Sequence, residues 1–268
     1  MITSLQNDKV KYVRALQERR RARQREQRFV FEGVRLVEET VRAGVSPILV
    51  FHTEAVESVR PGAVSERSTK LLASLREMNA PCYVVSDSVM AACSDTETPQ
   101  GILAVIAIPD LSRPRRPTFS LILDQVRDPG NLGTTLRTSL AAGVEQVLLT
   151  PGTVDAGNPK VVRAAMGAHL RLPVVALGWD AINQAVSGCD VWLAAANGET
   201  PHTAVDWTRP VALIVGGEAS GAGNKAQALA QGQVFIPMDT QVESLNMATA
   251  TAVLLFEVTR QRAESGTV

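Results

Sequence analysis

Three short segments hold the side chains best suited to chemistry. Asn131, Gly133 and Arg137 form an Asn-x-Gly-x-x-x-Arg pattern just after the turn Asp128-Pro129-Gly130. Gly216-Gly217-Glu218 and Gly221 follow an apolar run that ends at Val215. Ser244-Leu245-Asn246 precedes the last apolar stretch, a few residues after Ile236-Pro237-Met238. Strand C-termini and helix N-termini are where α/β proteins bind ligands and anions, and all three segments sit at such junctions. Arg137 is a permanent cation, suited to stabilising negative charge that develops on an oxygen. Each segment also has a plain structural explanation. Asn131 and Ser244 are good helix caps, Arg137 could be a solvated surface residue, and the glycines could simply make a turn.

Other chemistries fit poorly. Gly216 and Gly221 have the spacing of a phosphate loop, but Ala222 stands where the lysine belongs. The run is not Gly-x-Gly-x-x-Gly either, which disfavours a nucleotide-dependent oxidoreductase. Ser220 lacks the glycine two residues before it that a nucleophile elbow needs. His52, His169 and His202 show no metal-ligand spacing, and none lies in the three segments, which argues against a histidine base. Cys82, Cys93 and Cys189 are far apart with no Cys-x-x-Cys. That pattern points to free thiols in a reducing compartment rather than a disulfide framework or a zinc site, and no metal is expected.

A net charge of zero hides an uneven distribution. Residues 1–28 contain nine Lys/Arg and three acids, an excess of six positive charges that the rest of the chain offsets. Lys9, Lys11, Arg19, Arg20, Arg21 and Arg23 mark this arm. A basic arm on an acidic body suggests a polyanion partner, although a solvated helix would look the same. With 3 Trp, 2 Tyr and 6 Phe, a base-stacking platform is not expected, and RNA contact would run through phosphate and shape. No apolar run reaches the ~18 residues of a membrane span. The polar N-terminus does not resemble a secretion signal, so the expectation is a cytoplasmic protein without membrane contact.

The periodicity supplies the elements that must position these residues. Val10, Val13 and Leu16 predict a helix over roughly 5–25. Strands are expected at Phe29-Val30-Phe31, at 47–51, at 82–85 and at 102–108, with helices marked by Val34, Val37 and Val41 and by Leu71, Leu72, Leu75 and Met78. Three prolines among residues 109–117 mark a linker. Beyond it come strands at 119–124, 147–149, 191–194, 211–215 and 234–236. Helices follow Gly130, follow Asn158 as far as Ala168, and run from about 245 to 262. The continuous apolar strands indicate a buried, mostly parallel sheet. The last helix is apolar nearly all round, through Met247, Ala248, Ala250, Ala252, Leu254, Leu255 and Phe256, as expected of a buried or interface helix. The expected division is an α/β domain over 1–108, a linker over 109–117 and a second α/β domain over 118–268.

Taken together, the three segments resemble the motifs of the SpoU/TrmH family of the SPOUT superfamily, S-adenosylmethionine-dependent RNA ribose 2′-O-methyltransferases. The segment from Asn158 to Ala168 is also similar to a family segment. The resemblance covers about 118–262. Residues 1–108, through Phe29-Val30-Phe31-Glu32-Gly33 and Thr98-Pro99-Gln100-Gly101-Ile102, resemble the RNA substrate-binding domain of many members, which has a ribosomal-protein-like fold. The resemblance implies a C-terminal trefoil knot, a homodimer through the catalytic domain and S-adenosylmethionine as cofactor. It implies cofactor contacts at Gly216, Gly217, Ile236, Met238 and Leu245, and catalytic roles for Arg137, Asn131, Glu218, Ser244 and Asn246. The chain departs from the family pattern at Ala219-Ser220 and at Asp239-Thr240, where glycines are common, but no motif residue is lost. The expected activity is ribose 2′-O-methylation of RNA, ribosomal RNA first, with a transfer-RNA methyltransferase and a non-catalytic RNA chaperone as alternatives.

Overall fold

Helices and strands alternate along the chain as the apolar periodicity requires. In order they are α1 (Asp8–Glu18), α2 (Arg20–Glu26), β1 (Arg28–Glu32), α3 (Val34–Arg42), β2 (Leu49–His52), α4 (Glu54–Glu57), α5 (Ala63–Glu77), β3 (Cys82–Val84), α6 (Asp87–Cys93) and β4 (Ile102–Ala107). Then follow β5 (Phe119–Asp124), α7 (Pro129–Ala141), β6 (Gln146–Leu149), α8 (Pro159–Ala165), β7 (Val174–Ala176), α9 (Trp179–Ala185), β8 (Asp190–Ala194), β9 (Thr200–Pro201), β10 (Val211–Gly216), α10 (Asn224–Leu229), β11 (Gly232–Phe235) and α11 (Met247–Ser265). This computed structural model describes residues 1–57, 63–218, 221–239, 241 and 244–266. Ala219, Ser220 and Thr240, noted above as departures from the family pattern, lie outside the described residues. The chain forms two compact units, Met1–Asp110 with Gly157–Leu170, and Leu111–Ala156 with Arg171–Val268.

The first unit is built on a mixed four-stranded sheet in the order β1-β4-β2-β3, with β4 antiparallel to both neighbours and β2 parallel to β3. Val10, Val13 and Leu16 of α1 pack with Val30, Phe51 and Leu103, and the expected stripe is fully buried. A second cluster, with Phe29, Phe31, Val37, Leu75 and Ile106, takes in Val162 and Leu170 from residues 157–170. Arg163 of α8 binds Asp95 at 2.7 Å, and Gly167, at φ +87°, presses its backbone against the Glu39 side chain. Three local differences from the sequence expectation appear here. The N-terminal helix breaks at Arg19, whose extended backbone separates α1 from α2. Arg23 is not an exposed member of the basic arm. Its guanidinium is buried and donates to Leu16 O (2.7 Å) and Gln17 O (3.0 Å), satisfying carbonyls that the helix break leaves open. α8 stops at Ala165 rather than Ala168, because Met166 and Gly167 both turn to positive φ.

The second unit carries a seven-stranded sheet, β7-β6-β5-β10-β8-β11-β9, and every pairing in it is parallel. The short edge strands β7 and β9 and the helix α9 were not among the expected elements, although β7 lies in the apolar run 172–177. Strand order reverses between β5 and β10, so the switch point lies where their C-terminal ends, Asp124 and Gly216, stand side by side. α11 packs on α7, and its buried residues include Met247, Ala248, Leu254, Leu255 and Val258. Phe256, expected on the buried face, is instead 48% exposed, as is Val253 at 37%. The polar residues Thr251 and Arg262 take buried positions on the helix. Among the described residues no helix is long and apolar enough to cross a membrane.

Arg262 fastens the end of α11, and Glu257 braces the same helix from within. The Arg262 guanidinium stacks over Phe119 and donates to the carbonyls of Trp207 (3.0 Å), Thr118 (2.7 Å) and Arg209 (3.0 Å). Replacing it with alanine leaves these acceptors without their shared donor, and we expect a loss of about 2–4 kcal/mol in urea unfolding. Glu257 accepts from Arg260 and Gln261, and the Arg260 hydrogen bonds hold its carboxyl down at about 2, from an ordinary 4.5. A depressed folded pKa adds stability that is complete above 4.5 and is lost as the pH falls toward 2. The stability gap between the wild type and Glu257→Gln should therefore close across that window, as followed by unfolding at a series of pH values.

Candidate active site

The three sequence segments meet in the second unit. The Asn131 side-chain amide donates to Glu218 Oε1 at 2.7 Å. The Asn246 amide in turn donates to Asn131 Oδ1 at 3.0 Å. One hydrogen-bonded line thus joins residues from the start of α7, the turn after β10 and the start of α11. Neither expected cap is correct. Asp128 caps α7 and its Oδ1 accepts from Asn131 N, while Asn246 caps α11 and accepts from Ala248 N and Thr249 N. Ser244 lies two residues before that cap and is exposed. Capping by Asp128 leaves the Asn131 side chain free to face Glu218, and Asn246 caps with its oxygen while its nitrogen points to Asn131.

Below this line lies a cleft of about 750 Å³, within the roughly 300–1,000 Å³ of small-molecule sites. Its walls are residues 194–197 after β8, 216–218 after β10, 235–236 and Met238 after β11, and 244–247 at the mouth of α11. Gly216, Gly217, Glu218, Ile236, Met238, Ser244, Leu245 and Asn246 all line it. Arg137 does not. It sits exposed on α7, with no hydrogen-bond or ion-pair partner among the described residues.

The glycines are required by space. A Cβ on Gly216 would collide with the backbone of Gly221 and Ala222, and one on Gly217 would lie 2.5 Å from Gln125 O. Asp124 was not singled out from sequence, yet it is fully buried at the end of β5. Its main-chain oxygen accepts from Gly217 N (2.8 Å), and its carboxyl accepts from Gly223 N (2.8 Å) and Thr150 Oγ1 (2.7 Å). The only signal in the sequence is an acid closing an apolar run. Among the described residues no group of His, Cys, Asp and Glu could hold a metal, and burial pushes the Cys93 thiol up to about 11.

Residues 118–256 match the SpoU rRNA Methylase family, and residues 7–104 match the MRM3-like substrate binding domain. The chain belongs to the SpoU rRNA methylase family. It is 33% identical over 264 residues to the 23S rRNA (guanosine(2553)-2′-O)-methyltransferase RlmP of Bacillus subtilis, covering 96% of this chain and 98% of that protein. The AdoMet-bound rRNA methyltransferase of Sinorhizobium meliloti superposes with a TM-score of 0.81 at 26% identity, over 97% of each chain. The SpoU methyltransferase AviRb of Streptomyces viridochromogenes, in complex with AdoMet, gives 0.82 at 26% identity, over 96% of this chain and 99% of that one.

As a SpoU methylase the protein uses S-adenosylmethionine, and the residues present fit it. The cleft offers apolar walls at Leu193, Val215, Phe235 and Leu254, together with strand-end backbone at 194–197 and 235–236. That combination suits an adenosine held by shape and main-chain hydrogen bonds. The packing at Gly216 allows a direct check. Gly216→Ala should leave the fold intact by circular dichroism and weaken calorimetric S-adenosylmethionine binding by about 30-fold or more, because the added methyl can only displace backbone.

Proposed function

We propose that this protein methylates the ribose 2′-hydroxyl of a guanosine in large-subunit ribosomal RNA, the position corresponding to that modified by RlmP. The reaction class follows from the family: methyl transfer to ribosomal RNA from S-adenosylmethionine, which supplies an electrophilic methyl group. The guanosine and its place rest on the likeness to RlmP, which extends over both units. The observation that carries the catalytic reading is the line Glu218–Asn131–Asn246 at the mouth of the cleft. Such a line holds its members in place before substrate arrives.

In this reading Gly216, Gly217, Ile236, Met238 and Leu245 hold the cofactor. Asn131, Glu218 and Asn246 form the rim that receives the ribose, and Ser244 contributes its hydroxyl beside them. Arg137 stabilises the alkoxide as the 2′-hydroxyl loses its proton to solvent, because a guanidinium holds its own proton too tightly to serve as a base at neutral pH. Its position outside the cleft suits service across a homodimer, and exposed Val253 and Phe256 on α11 supply apolar surface for such a partner. The C-terminal knot belongs to the same family reading, as does a cytoplasmic location.

The first unit, in the role of RNA-binding domain over 1–108, takes the RNA on its α1–α2 side. Lys9, Lys11, Arg19, Arg20 and Arg21 are exposed there without acidic partners among the described residues. By contrast, Arg42, Arg67, Lys70 and Arg76 are already paired with Glu38, Glu39, Glu57 or Glu66. Free cations release counterions from phosphate, whereas paired ones do not.

The test is methyl transfer from labelled cofactor to ribosomal RNA lacking the modification, with transfer RNA assayed separately. Label should appear as an alkali-resistant guanosine dinucleotide in the large-subunit RNA. Arg137→Ala should reduce kcat by about 100–1000-fold with cofactor still bound. Label confined to transfer RNA would overturn the target, and an Arg137→Ala enzyme of normal rate would overturn its role.

A further inference from the structure

We infer that Asp124 is a positioning residue that sets the cofactor-binding turn after β10, through paired holds on both limbs of that turn. The first limb is held by main chain, since Gly217 N donates to Asp124 O at 2.8 Å. The second is held by the side chain, since Gly223 N donates to Asp124 Oδ2 at 2.8 Å. The other carboxyl oxygen is itself fixed, because Thr150 Oγ1 donates to Oδ1 at 2.7 Å, and that hydroxyl in turn accepts from Gln125 N at 3.1 Å. Asp124 therefore ties the turn to the ends of β5 and β6 at once.

The geometry around it has little freedom. Gln125 takes a left-handed backbone conformation, φ +55°, immediately after Asp124. That twist brings Gln125 O within 2.5 Å of where a Cβ of Gly217 would stand. An isolated β-bridge between Gly217 and Gly221 closes the turn on itself. Glu218 is carried on the same limb, so the position of the turn also sets the Glu218–Asn131 hydrogen bond.

A carboxyl with no exposed surface is costly to bury, and an apolar residue would end an apolar strand at lower cost. What an apolar residue could not supply is two acceptors at one point, facing a backbone N–H on one side and a hydroxyl on the other. The inference rests on reading Gly216 and Gly217 as the cofactor wall. The experiment below separates failure of that reading from failure of the role assigned to Asp124.

Asp124→Ala, Asp124→Asn and Thr150→Val are compared with the wild type by calorimetric titration with S-adenosylmethionine, by amide hydrogen exchange of the cofactor-free protein, and by steady-state kinetics. Asp124→Ala should raise the cofactor Kd and KM by about 10–100-fold, the scale of one lost charge-assisted hydrogen bond. Its kcat at saturating cofactor should fall by less than KM rises, because the turn carries Glu218 but Asp124 touches no reacting atom. Exchange at the Gly223 amide should quicken more than at Gly217, whose acceptor is main chain and survives. In Asp124→Asn the amide oxygen can accept from Gly223 and its nitrogen can donate to Thr150 Oγ1, so Kd should return to within about threefold.

A folded Asp124→Ala with unchanged Kd overturns the proposal, as does a loss of kcat with KM unchanged, or an Asn variant no better than Ala. If Asp124→Ala does not fold, Thr150→Val decides. A Kd raised by about three- to tenfold supports the role, and an unchanged one overturns it. If Gly223 exchange quickens while Gly216→Ala binds cofactor normally, the turn is held by Asp124 but is not the cofactor wall, and the proposal fails on that ground.

Discussion

The site depends on how closely two backbones approach at the ends of β5 and β10. Parallel pairing brings Asp124 level with Gly216, and the ladder ends there, so that the next amides are those of Gln125 and Gly217. In most parallel sheets such amides are left for ligand or water. Here Gly217 N is taken by Asp124 O, and the distance allows no Cβ at either glycine. The stretch of cleft wall at Gly216 and Gly217 is therefore made of main chain, and its shape follows from the sheet rather than from side-chain rotamers. That ordering is favourable for binding, because a wall fixed before the ligand arrives loses no conformational entropy when it does.

Above this wall the polar rim is organised without metal or histidine. Asn131 and Asn246 each offer both a donor and an acceptor, and that dual character lets them bridge in series. Asn246 gives its oxygen to the first amides of α11 and its nitrogen to Asn131, while Asn131 gives its nitrogen to Glu218. Aspartate at either position would lose the donor, and at 131 it would also set one carboxylate beside another. The rim therefore joins parts of the chain more than a hundred residues apart through groups that have no slack in their hydrogen bonding.

Much of this was legible in sequence because chemistry-bearing residues sit at element junctions, and junctions announce themselves by glycine, proline and the end of apolar runs. Asn131, Glu218 and Asn246 were found that way, as were the strands that carry them. What failed depended on contacts that residue patterning does not show. Arg23 was counted with the exposed arm because charge patterning cannot show that carbonyls six and seven residues earlier, opened by a helix break, need its guanidinium. Phe256 was placed inside because apolar residues ring α11, whereas Thr251 and Arg262 hold buried positions, Thr251 by donating to Met247 O and Arg262 by donating to the distant carbonyls of Thr118, Trp207 and Arg209. Asp124 was passed over because a single acid at a strand end looks like solubility until its register with Gly216 is known. The packing of residues 157–170 with the first unit was equally hidden, since an apolar helix does not state which sheet it covers.

The composition of the cleft bears on why the proposed role falls to Arg137. Among its described lining residues only Glu218 carries an ionisable side chain, and that carboxyl is tied to Asn131. No cation is stored inside, so nothing within the walls can meet the negative charge that forms when a ribose hydroxyl is deprotonated. A cation built into the wall would also face the positive charge of the methyl donor and weaken its binding. Keeping the guanidinium outside on α7 avoids that repulsion until RNA brings its own negative charge to the mouth. In the proposed reading, the separation of Arg137 from the cleft keeps a like charge out of the wall that holds the methyl donor.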